Sequence, residues 1–269
     1  MKIAIIYFSG TGVTEGYAKI IADGLKQKGQ TVSLRNITSI EDRESGVDFQ
    51  KQDAVIFGFP VYAGRLPTVV ETWLGTLHVK KQCSMYFTYG GRELEYAHQT
   101  GYYLLSKANF DVILSAEFLG KHSFNVAEGW DLASDRPYSD DVSMAKEFAL
   151  ESLKRFQTKD EKWDYKLEGF DYQPRVTKEY HGPFAIFFPY KIQECRMCYR
   201  CENECPTGAF DLSSGKAKNG VCIQCMHCVS ICPDNAIEVG DATELFQQFK
   251  TTLDLTSENV KNKKSRIIH

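Results

Sequence analysis

Residues 195–206 read CRMCYRCENECP, and residues 222–233 read CIQCMHCVSICP. Both stretches have the spacing C-x2-C-x2-C-x3-C-P, so the chain contains the same cysteine run twice. The first three cysteines of each run are closely spaced, and a tight turn can direct their thiolates toward one point. The fourth cysteine cannot return to that point without strain. We therefore predict that each run gives three thiolates to one metal cluster and its fourth thiolate to the other.

The cysteine spacing resembles that of bacterial ferredoxins, in which such runs bind iron–sulfur clusters. The resemblance implies two 4Fe-4S clusters in a small α+β ferredoxin-like domain at residues 190–239. Pro206 and Pro233 end the two runs, because proline fixes φ and donates no N–H. His227 is expected to shield or tune the second cluster rather than to ligate it. The predicted ligands of cluster one are Cys195, Cys198, Cys201 and Cys232, and those of cluster two are Cys222, Cys225, Cys228 and Cys205.

Structural zinc and disulfides are the other common uses of many cysteines. Zinc sites usually take paired cysteines separated by a longer loop, which is not the pattern here. Disulfides need an oxidising compartment, and the opening MKIAIIYFSGTG lacks the features of a signal peptide. No apolar run approaches the length of a membrane span. We therefore expect a cytoplasmic protein in a reducing, anaerobic setting, with Cys83 as a small core residue.

Length and charge restrict the remaining possibilities. A chain of 269 residues exceeds the usual size of one domain, and its 43% apolar content is ordinary for a globular protein. The net charge of −3 argues against a nucleic-acid partner. Residues 190–239 contain one more acidic than basic residue, and thiolate-ligated clusters would add negative charge. This region is expected to attract a basic redox partner protein.

Residues 1–157 alternate short apolar runs with amphipathic segments, which predicts a doubly wound, five-stranded parallel sheet of the α/β class. Residues 158–189 are charged and aromatic and are predicted to be a connecting segment that packs the two domains together. Residues 240–269 are predicted to begin as an amphipathic helix and to end as a basic tail. The predicted strands are Lys2–Phe8, Thr31–Arg35, Ala54–Gly58, Cys83–Thr88 and Val112–Leu119, and the predicted helices are Thr14–Lys28, Thr68–Leu77, Glu93–Asn109 and Ser139–Gln157.

A loop of glycines and hydroxyl residues, SGTGVT, connects the first predicted strand to the first helix. N–H groups at a helix N-terminus attract anions, and the helix dipole adds to this attraction. The loop lacks the lysine of a nucleoside-triphosphate loop and the third glycine of GxGxxG. A Ser/Thr N-cap without a ligand is the alternative interpretation.

Together with two later loops, this segment resembles the FMN-binding loops of flavodoxins. SGTGVT is similar to the phosphate loop S/T-x-T-G-x-T, and the other two loops follow the third and fourth predicted strands. The resemblance implies a flavodoxin-like fold over residues 1–157, with FMN at the switch point between strands one and three. The implied FMN-binding residues are Ser9, Gly10, Thr11, Gly12, Val13 and Thr14, then Pro60, Val61, Tyr62, Ala63, Gly64 and Arg65, and then Thr88, Tyr89, Gly90, Gly91 and Arg92.

The residue types suggest separate roles in these loops. The hydroxyls of the first loop would hold the phosphate, and Tyr62 would stack on the flavin ring, unless it is only a half-buried loop tyrosine. Gly64, Gly90 and Gly91 would let the backbone approach the ring. We expect Arg65 and Arg92 to raise the flavin potential, unless they are solvated loop residues, so that electrons flow from the clusters to FMN.

The two resemblances combined are those of flavodoxin–ferredoxin fusion proteins. They imply electron transfer between two 4Fe-4S clusters and FMN, with unknown redox partner proteins and no nucleic acid or membrane span. An FMN-dependent reductase of a small substrate is the alternative, with the loop His122–Pro137 over the flavin. A non-redox sensor or assembly factor is a third. We assign no catalytic residue, and the sequence leaves a homodimer open.

Overall fold

The computed structural model describes residues 1–159, 162–255 and 257–269, and residues 160, 161 and 256 of the predicted connecting segment and tail lie outside this description. The first half of the chain alternates strands and helices, as expected. The parallel strands are β1 (Lys2–Tyr7), β2 (Thr31–Asn36), β3 (Ala54–Pro60), β4 (Lys81–Tyr89) and β5 (Phe110–Leu119). The helices are α1 (Val13–Gln27), α2 (Ile40–Glu44), α3 (Thr68–Leu74), α4 (Ala97–Lys107) and α5 (Ser139–Thr158).

The parallel strands are arranged in the order β5-β4-β3-β1-β2, so the predicted flavodoxin-like α/β fold is confirmed. The strands β1, β3, β4 and β5 are largely buried because helices cover both faces of the sheet, whereas the edge strand β2 is largely exposed. Tyr17 of α1 and Phe148 of α5 lie in the core on one side. Trp73 of α3 and Leu105 of α4 lie in the core on the other side. Cys83 is fully buried in that second core, as predicted.

The second half of the chain contains a small antiparallel sheet. Its strands are β6 (Tyr190–Lys191), β7 (Phe210–Asp211), β8 (Lys216–Ala217) and β9 (Ile237–Glu238), in the order β7-β8-β6-β9. One short helix lies in each cysteine run, α6 (Arg200–Asn203) in the first and α7 (His227–Ile231) in the second. The predicted α+β ferredoxin-like domain is therefore confirmed.

The tail returns to the first domain, which the sequence did not predict. After the predicted amphipathic helix, α8 (Thr243–Thr252), come α9 (Ser257–Asn262) and the strand β10 (Arg266–Ile268). β10 pairs antiparallel with β5, so the five parallel strands become a six-stranded sheet among the described residues. The predicted basic tail therefore includes a strand, in which Arg266 pairs with the buried Glu117 on β5 at 2.7 Å.

The connecting segment packs only in part as predicted. Trp163 donates its backbone N–H to Val112 of β5, and Tyr172 stacks on Tyr103 of α4. These aromatic side chains therefore cover the first domain rather than join the two domains. Tyr180 does reach the second domain, because its backbone N–H bonds to Asn219 at 2.9 Å. The boundaries of the domains stay a prediction.

Among the described residues, no helix combines the length and the apolar character that crossing a membrane requires.

Candidate functional site

The three loops predicted to bind flavin meet around one cavity of about 440 Å³. They follow β1, β3 and β4, whose carboxyl ends lie side by side because the strands are parallel neighbours. The cavity therefore lies at the switch point between β1 and β3. The loop residues that line it are Ser9, Gly10, Thr11, Val13, Thr14, Pro60, Val61, Tyr62, Ala63, Gly64, Thr88, Tyr89, Gly90 and Arg92.

The three hydroxyls of the first loop differ in their partners. Thr14 shares a 2.7 Å hydrogen bond with Thr88, and the Ser9 hydroxyl accepts the backbone N–H of Glu15 at 3.2 Å. In the described part of the chain, the Thr11 hydroxyl has no protein partner. α1 begins after Gly12, whose φ is +88°. Because the N-cap residue is a glycine, it has no side chain to bond to the first N–H groups of the helix. The helix N-terminus and the Thr11 hydroxyl are therefore available to a phosphate group.

The second loop is a tight turn. Tyr62 donates its backbone N–H to Arg65 at 2.8 Å, and Ala63 and Gly64 between them have φ values of +48° and +73°. A Cβ at Gly64 would lie 2.7 Å from the Cβ of Glu95, so a larger residue does not fit. Arg175 of the connecting segment donates to the carbonyl of Tyr62 at 3.1 Å and so fixes the turn from behind.

The two arginines differ from expectation. Arg65 lies away from the cavity, where it pairs with the buried Glu71 at 3.0 Å and stacks on Tyr172. The Arg65 side chain thus points toward α3, where it pairs with a buried carboxylate, rather than into the cavity where the flavin is expected. Arg92 does line the cavity and pairs with Glu95. Among the described residues, Gly12 and Gly91 also lie outside the cavity lining.

The opposite wall of the cavity was predicted only in part, through the loop His122–Pro137. It comes from four remote segments: the loop after β5, the connecting segment, the second cysteine run and α8. Only the long loop after β5 gave a signal in the sequence. The residues of this wall include Lys121, His122, Ser123, Phe124, Trp130, Tyr180, Phe184, Ile223, Gln224 and Phe249.

His122 is the titratable group of that wall with a strongly shifted pKa. Its ring packs against Gly90, where an added Cβ would lie 2.4 Å from Cδ2. Nδ1 accepts the backbone N–H of Phe124 at 3.1 Å, which assigns the proton of the neutral ring to Nε2. Burial, and then the charge of Arg92, lowers the pKa of His122 from 6.5 to about 4. The ring is therefore a neutral hydrogen-bond donor at neutral pH.

The eight cysteines of the two runs form two groups, and none of them is in a disulfide. Cys195, Cys198, Cys201 and Cys232 line one small cavity together. The other four lie close enough to influence one another, because burial first, and then the charges of Cys225, Cys222 and Cys205, raise the pKa of Cys228. Burial likewise raises the pKa of Cys222 to about 11.

The backbone around the cysteines fits thiolate ligands of an iron–sulfur cluster. The residues between the first three cysteines of each run adopt left-handed φ values, which turn the sulfurs inward: Met197 and Tyr199 in the first run, and Gln224 and Met226 in the second. Backbone N–H groups approach the fourth sulfurs, from Ala209 to Cys205 at 3.2 Å and from Ala236 to Cys232 at 3.3 Å. Such hydrogen bonds tune cluster potentials.

The second cysteine run touches the flavin loop directly. Nδ1 of His227 lies 2.9 Å from the carbonyl oxygen of Gly10. A Cβ at Gly10 would lie 2.3 Å from the carbonyl oxygen of Cys225 and 2.6 Å from the hydroxyl of Tyr62, so this contact requires glycine. Arg43 also donates to the carbonyl of Pro206, which follows Cys205. The predicted flavin and cluster sites are therefore neighbours.

The fold and its two sites are those expected of a protein that holds a flavin and iron–sulfur clusters. Comparison with known families agrees: a Flavodoxin domain matches residues 4–100, and a 4Fe-4S dicluster domain matches residues 194–237. The chain thus has a flavodoxin domain at its N-terminus and a 4Fe-4S dicluster domain near its C-terminus, which is the arrangement of a flavodoxin–ferredoxin fusion. The first domain implies FMN, and the second implies iron–sulfur clusters.

Individual relatives resemble the first domain. A flavodoxin of Clostridium saccharobutylicum is 33% identical over 75 residues, which are 28% of this chain and 44% of that protein, so the chain matches less than half of its length. Flavodoxin 2 from Bacillus cereus aligns at 20% identity with a TM-score of 0.45, over 58% of this chain and 99% of its own. A Streptococcus pneumonia TIGR4 flavodoxin gives the same identity and coverages with a TM-score of 0.43.

Proposed function

We propose that this protein carries electrons between two 4Fe-4S clusters and one FMN, in the order cluster one, cluster two, FMN. The observation that supports this order is the shared cavity: Ile223 and Gln224 of the second cysteine run line the same space as the three flavin loops. Cluster two would therefore lie beside the flavin. Cluster one would be the entry point, because Cys198 is exposed.

The cofactors supply the redox chemistry, since FMN exchanges one or two electrons and each cluster exchanges one. The protein supplies the ligands and the short separation between the sites. Cluster one would be held by Cys195, Cys198, Cys201 and Cys232, and cluster two by Cys222, Cys225, Cys228 and Cys205. Ser9, Thr11 and Thr14 and the N-terminus of α1 would hold the FMN phosphate, with Tyr62 beside the ring.

A redox partner protein would dock over cluster one. Met197 and Tyr199 are large apolar side chains that are 44% and 47% exposed around the exposed Cys198. We place this exchange in the cytoplasm, where thiolates stay reduced.

The proposal is tested by cofactor analysis and by one variant. Protein purified without oxygen should contain eight irons and one FMN per chain. In Cys222→Ser protein at saturating FMN, a reduced low-potential protein donor, which is too large to enter the flavin cavity, should still reduce cluster one, while the bound FMN is reduced far more slowly than in the wild type. Stoichiometric zinc, a lack of FMN after reconstitution, or unchanged FMN reduction would refute the proposal.

An FMN-dependent reductase is the second candidate, and the wall opposite the flavin loops favours it. Phe124, Phe184 and Phe249 come from three separate segments and give this wall an aromatic surface that suits a planar substrate. His122 could hydrogen-bond to such a substrate from Nε2. Turnover of a quinone or an aromatic enone by the FMN-loaded protein, reduced through its clusters, would favour this candidate over a pure carrier.

A further inference from the structure

The loop of the second cysteine run, Cys222–Cys228, lies between the two predicted cofactors. Ile223 and Gln224 line the flavin cavity, and both residues lie between Cys222 and Cys225. The equivalent residues of the first run, Arg196 and Met197, lie on the surface. The duplicated runs thus differ in one respect that matters: only the second forms a wall of the flavin cavity in the described part of the chain.

The shape of this wall depends on the two flanking cysteines. Gln224 has a φ of +53°, which costs free energy for a residue with a side chain, and its backbone N–H points at the sulfur of Cys222 at 3.4 Å. Its side chain donates to the carbonyl of Phe184 at 2.8 Å, and Phe184 is also part of the cavity wall. Ligation of Cys222 and Cys225 to one cluster would hold the turn in this strained conformation.

A second contact joins the same loop to the phosphate loop. His227 is buried, and its Nδ1 bonds to the carbonyl of Gly10 at 2.9 Å. The carbonyl of Cys225 is in close contact with Gly10 from the same side. The loop that ligates cluster two therefore fixes the backbone on which the FMN phosphate would rest.

We infer that the Cys222–Cys228 loop is part of the FMN-binding site, so that assembly of cluster two increases the affinity for FMN. This inference rests on the proposed function, because it takes both cofactors as bound at the sites described above. Linkage requires the effect to be reciprocal: bound FMN stabilises cluster two to the same extent. Cluster one shares no wall with the flavin cavity and has no such effect.

The experiment measures the Kd of FMN anaerobically from the quenching of its fluorescence, without any assay of turnover. Cys222→Ser removes the first ligand of cluster two, and Cys195→Ser is the matched control at the equivalent position of the first run. We expect the Kd to increase about tenfold in Cys222→Ser protein, within the usual range of coupling between two sites. We expect the Kd of Cys195→Ser protein to match the wild type.

A second pair of variants leaves all cysteines in place. His227→Ala removes the bond to Gly10 and should increase the Kd about fivefold, the worth of one ordinary hydrogen bond. Arg200→Ala, at the equivalent position of the first run, is its control, since Arg200 is exposed and pairs with Glu204. Because Glu204 also lies 3.7 Å from Nε2 of His227, this control shows any effect that passes through that carboxylate rather than through Gly10. This pair decides the question if circular dichroism shows that Cys222→Ser protein is unfolded.

The outcomes separate this inference from the function on which it rests. Equal FMN affinity in the two cysteine variants overturns the inference and leaves the electron-transfer proposal standing. If Cys222→Ser protein is unfolded, equal FMN affinity in the His227 and Arg200 variants does the same. Wild-type protein that binds no FMN overturns the proposed function and the inference with it.

Discussion

The Thr11 hydroxyl is the hydroxyl of the phosphate loop that is free to bind a ligand in the described part of the chain. Ser9 and Thr14 already bond to Glu15 and Thr88, whereas Thr11 has no protein partner among the described residues. A hydrogen bond to a charged phosphate contributes about 1.5–3 kcal/mol. Thr11→Ala should therefore weaken FMN binding by at least about tenfold, while riboflavin, which has no phosphate, should bind as before. Fluorescence titration measures both, and Thr11→Ser is the control. Equal losses for FMN and riboflavin would show that Thr11 does not contact the phosphate.

His122 gives the protein a pH dependence of stability with a definite sign. Burial lowers its pKa to about 4 in the folded state, whereas the unfolded chain takes up the proton near 6.5. The unfolded state then binds more protons between these values, so the free energy of unfolding falls as the pH decreases through this window. Between about pH 7.5 and about pH 5.5, His122 alone should cost about 1.3 kcal/mol.

Urea unfolding of FMN-free wild-type and His122→Asn protein at the two pH values measures this loss. The wild type should lose more stability than the variant by about that amount. A pH dependence that is identical in the two proteins would mean that the His122 ring is solvated or already charged in the folded state.

Residue chemistry explains which site residues could be predicted from the sequence. Thr11 and Tyr62 occupy short loops directly after apolar strands, so their place at the carboxyl edge of the sheet follows from local pattern. Arg65 could not be placed in the same way. The direction of the Arg65 side chain depends on Glu71 in the following helix, α3. It also depends on Tyr172, which is more than a hundred residues further along the chain.

The two cysteine runs are the elements whose ligand exchange can be tested. Cys232 lies in the small cavity with Cys195, Cys198 and Cys201, and Cys205 influences the thiols of the other run. Cys205→Ala should therefore damage cluster two and spare cluster one. Electron paramagnetic resonance of the reduced variant, compared with Cys232→Ala protein, distinguishes the two clusters. A defect in cluster one of the Cys205→Ala variant would reverse the ligand assignment.

The strand β10 should contribute to stability although it is only three residues long. It covers the edge of β5, Ser265 beside it accepts the backbone N–H of Leu119, and Arg266 pairs with Glu117. Removing residues 264–269 would expose the β5 edge and leave Glu117 without this partner. We expect a lower melting temperature and aggregation through the open edge. Calorimetry and size-exclusion chromatography measure both effects, and Arg266→Ala, which keeps the strand, should be affected less. A truncated protein as stable and as monodisperse as the wild type would contradict this role.

Elements that depend on remote pairing were beyond sequence reasoning. β10 has too few residues to show the alternating apolar pattern of a strand. It is a strand because it pairs with β5. Helix α4 begins at Ala97 rather than at Glu93, because Glu95 adopts a φ of +44° and supports Gly64 of the flavin loop. By contrast, the long strands and helices carried their own apolar pattern, and their order was enough to predict the sheet.

At the scale of the whole molecule, the cavity is completed by segments from both halves of the chain. The flavin loops come from the first domain, and the second wall comes from the loop after β5, the connecting segment, the second cysteine run and α8. The predicted flavin site and the predicted site of cluster two meet at this junction, which would shorten the path between the two cofactors.

The direction of electron flow can be tested through Arg92, the arginine of the flavin loops that lines the cavity. A positive charge there stabilises the anionic reduced flavin and raises its potential, although pairing with Glu95 and partial exposure weaken the effect. Arg92→Gln should lower the two-electron potential of FMN by about 30 mV, equivalent to about 1.4 kcal/mol. Arg65→Gln is the matched control, because Glu71 holds Arg65 away from the cavity, and it should leave the potential unchanged. Anaerobic dye-coupled titration measures both variants, and the wild type should show FMN above both clusters, so that electrons move from the clusters to the flavin. A flavin potential below both clusters would reverse this direction, and equal shifts in the two variants would show that Arg92 does not act on the flavin from within the cavity.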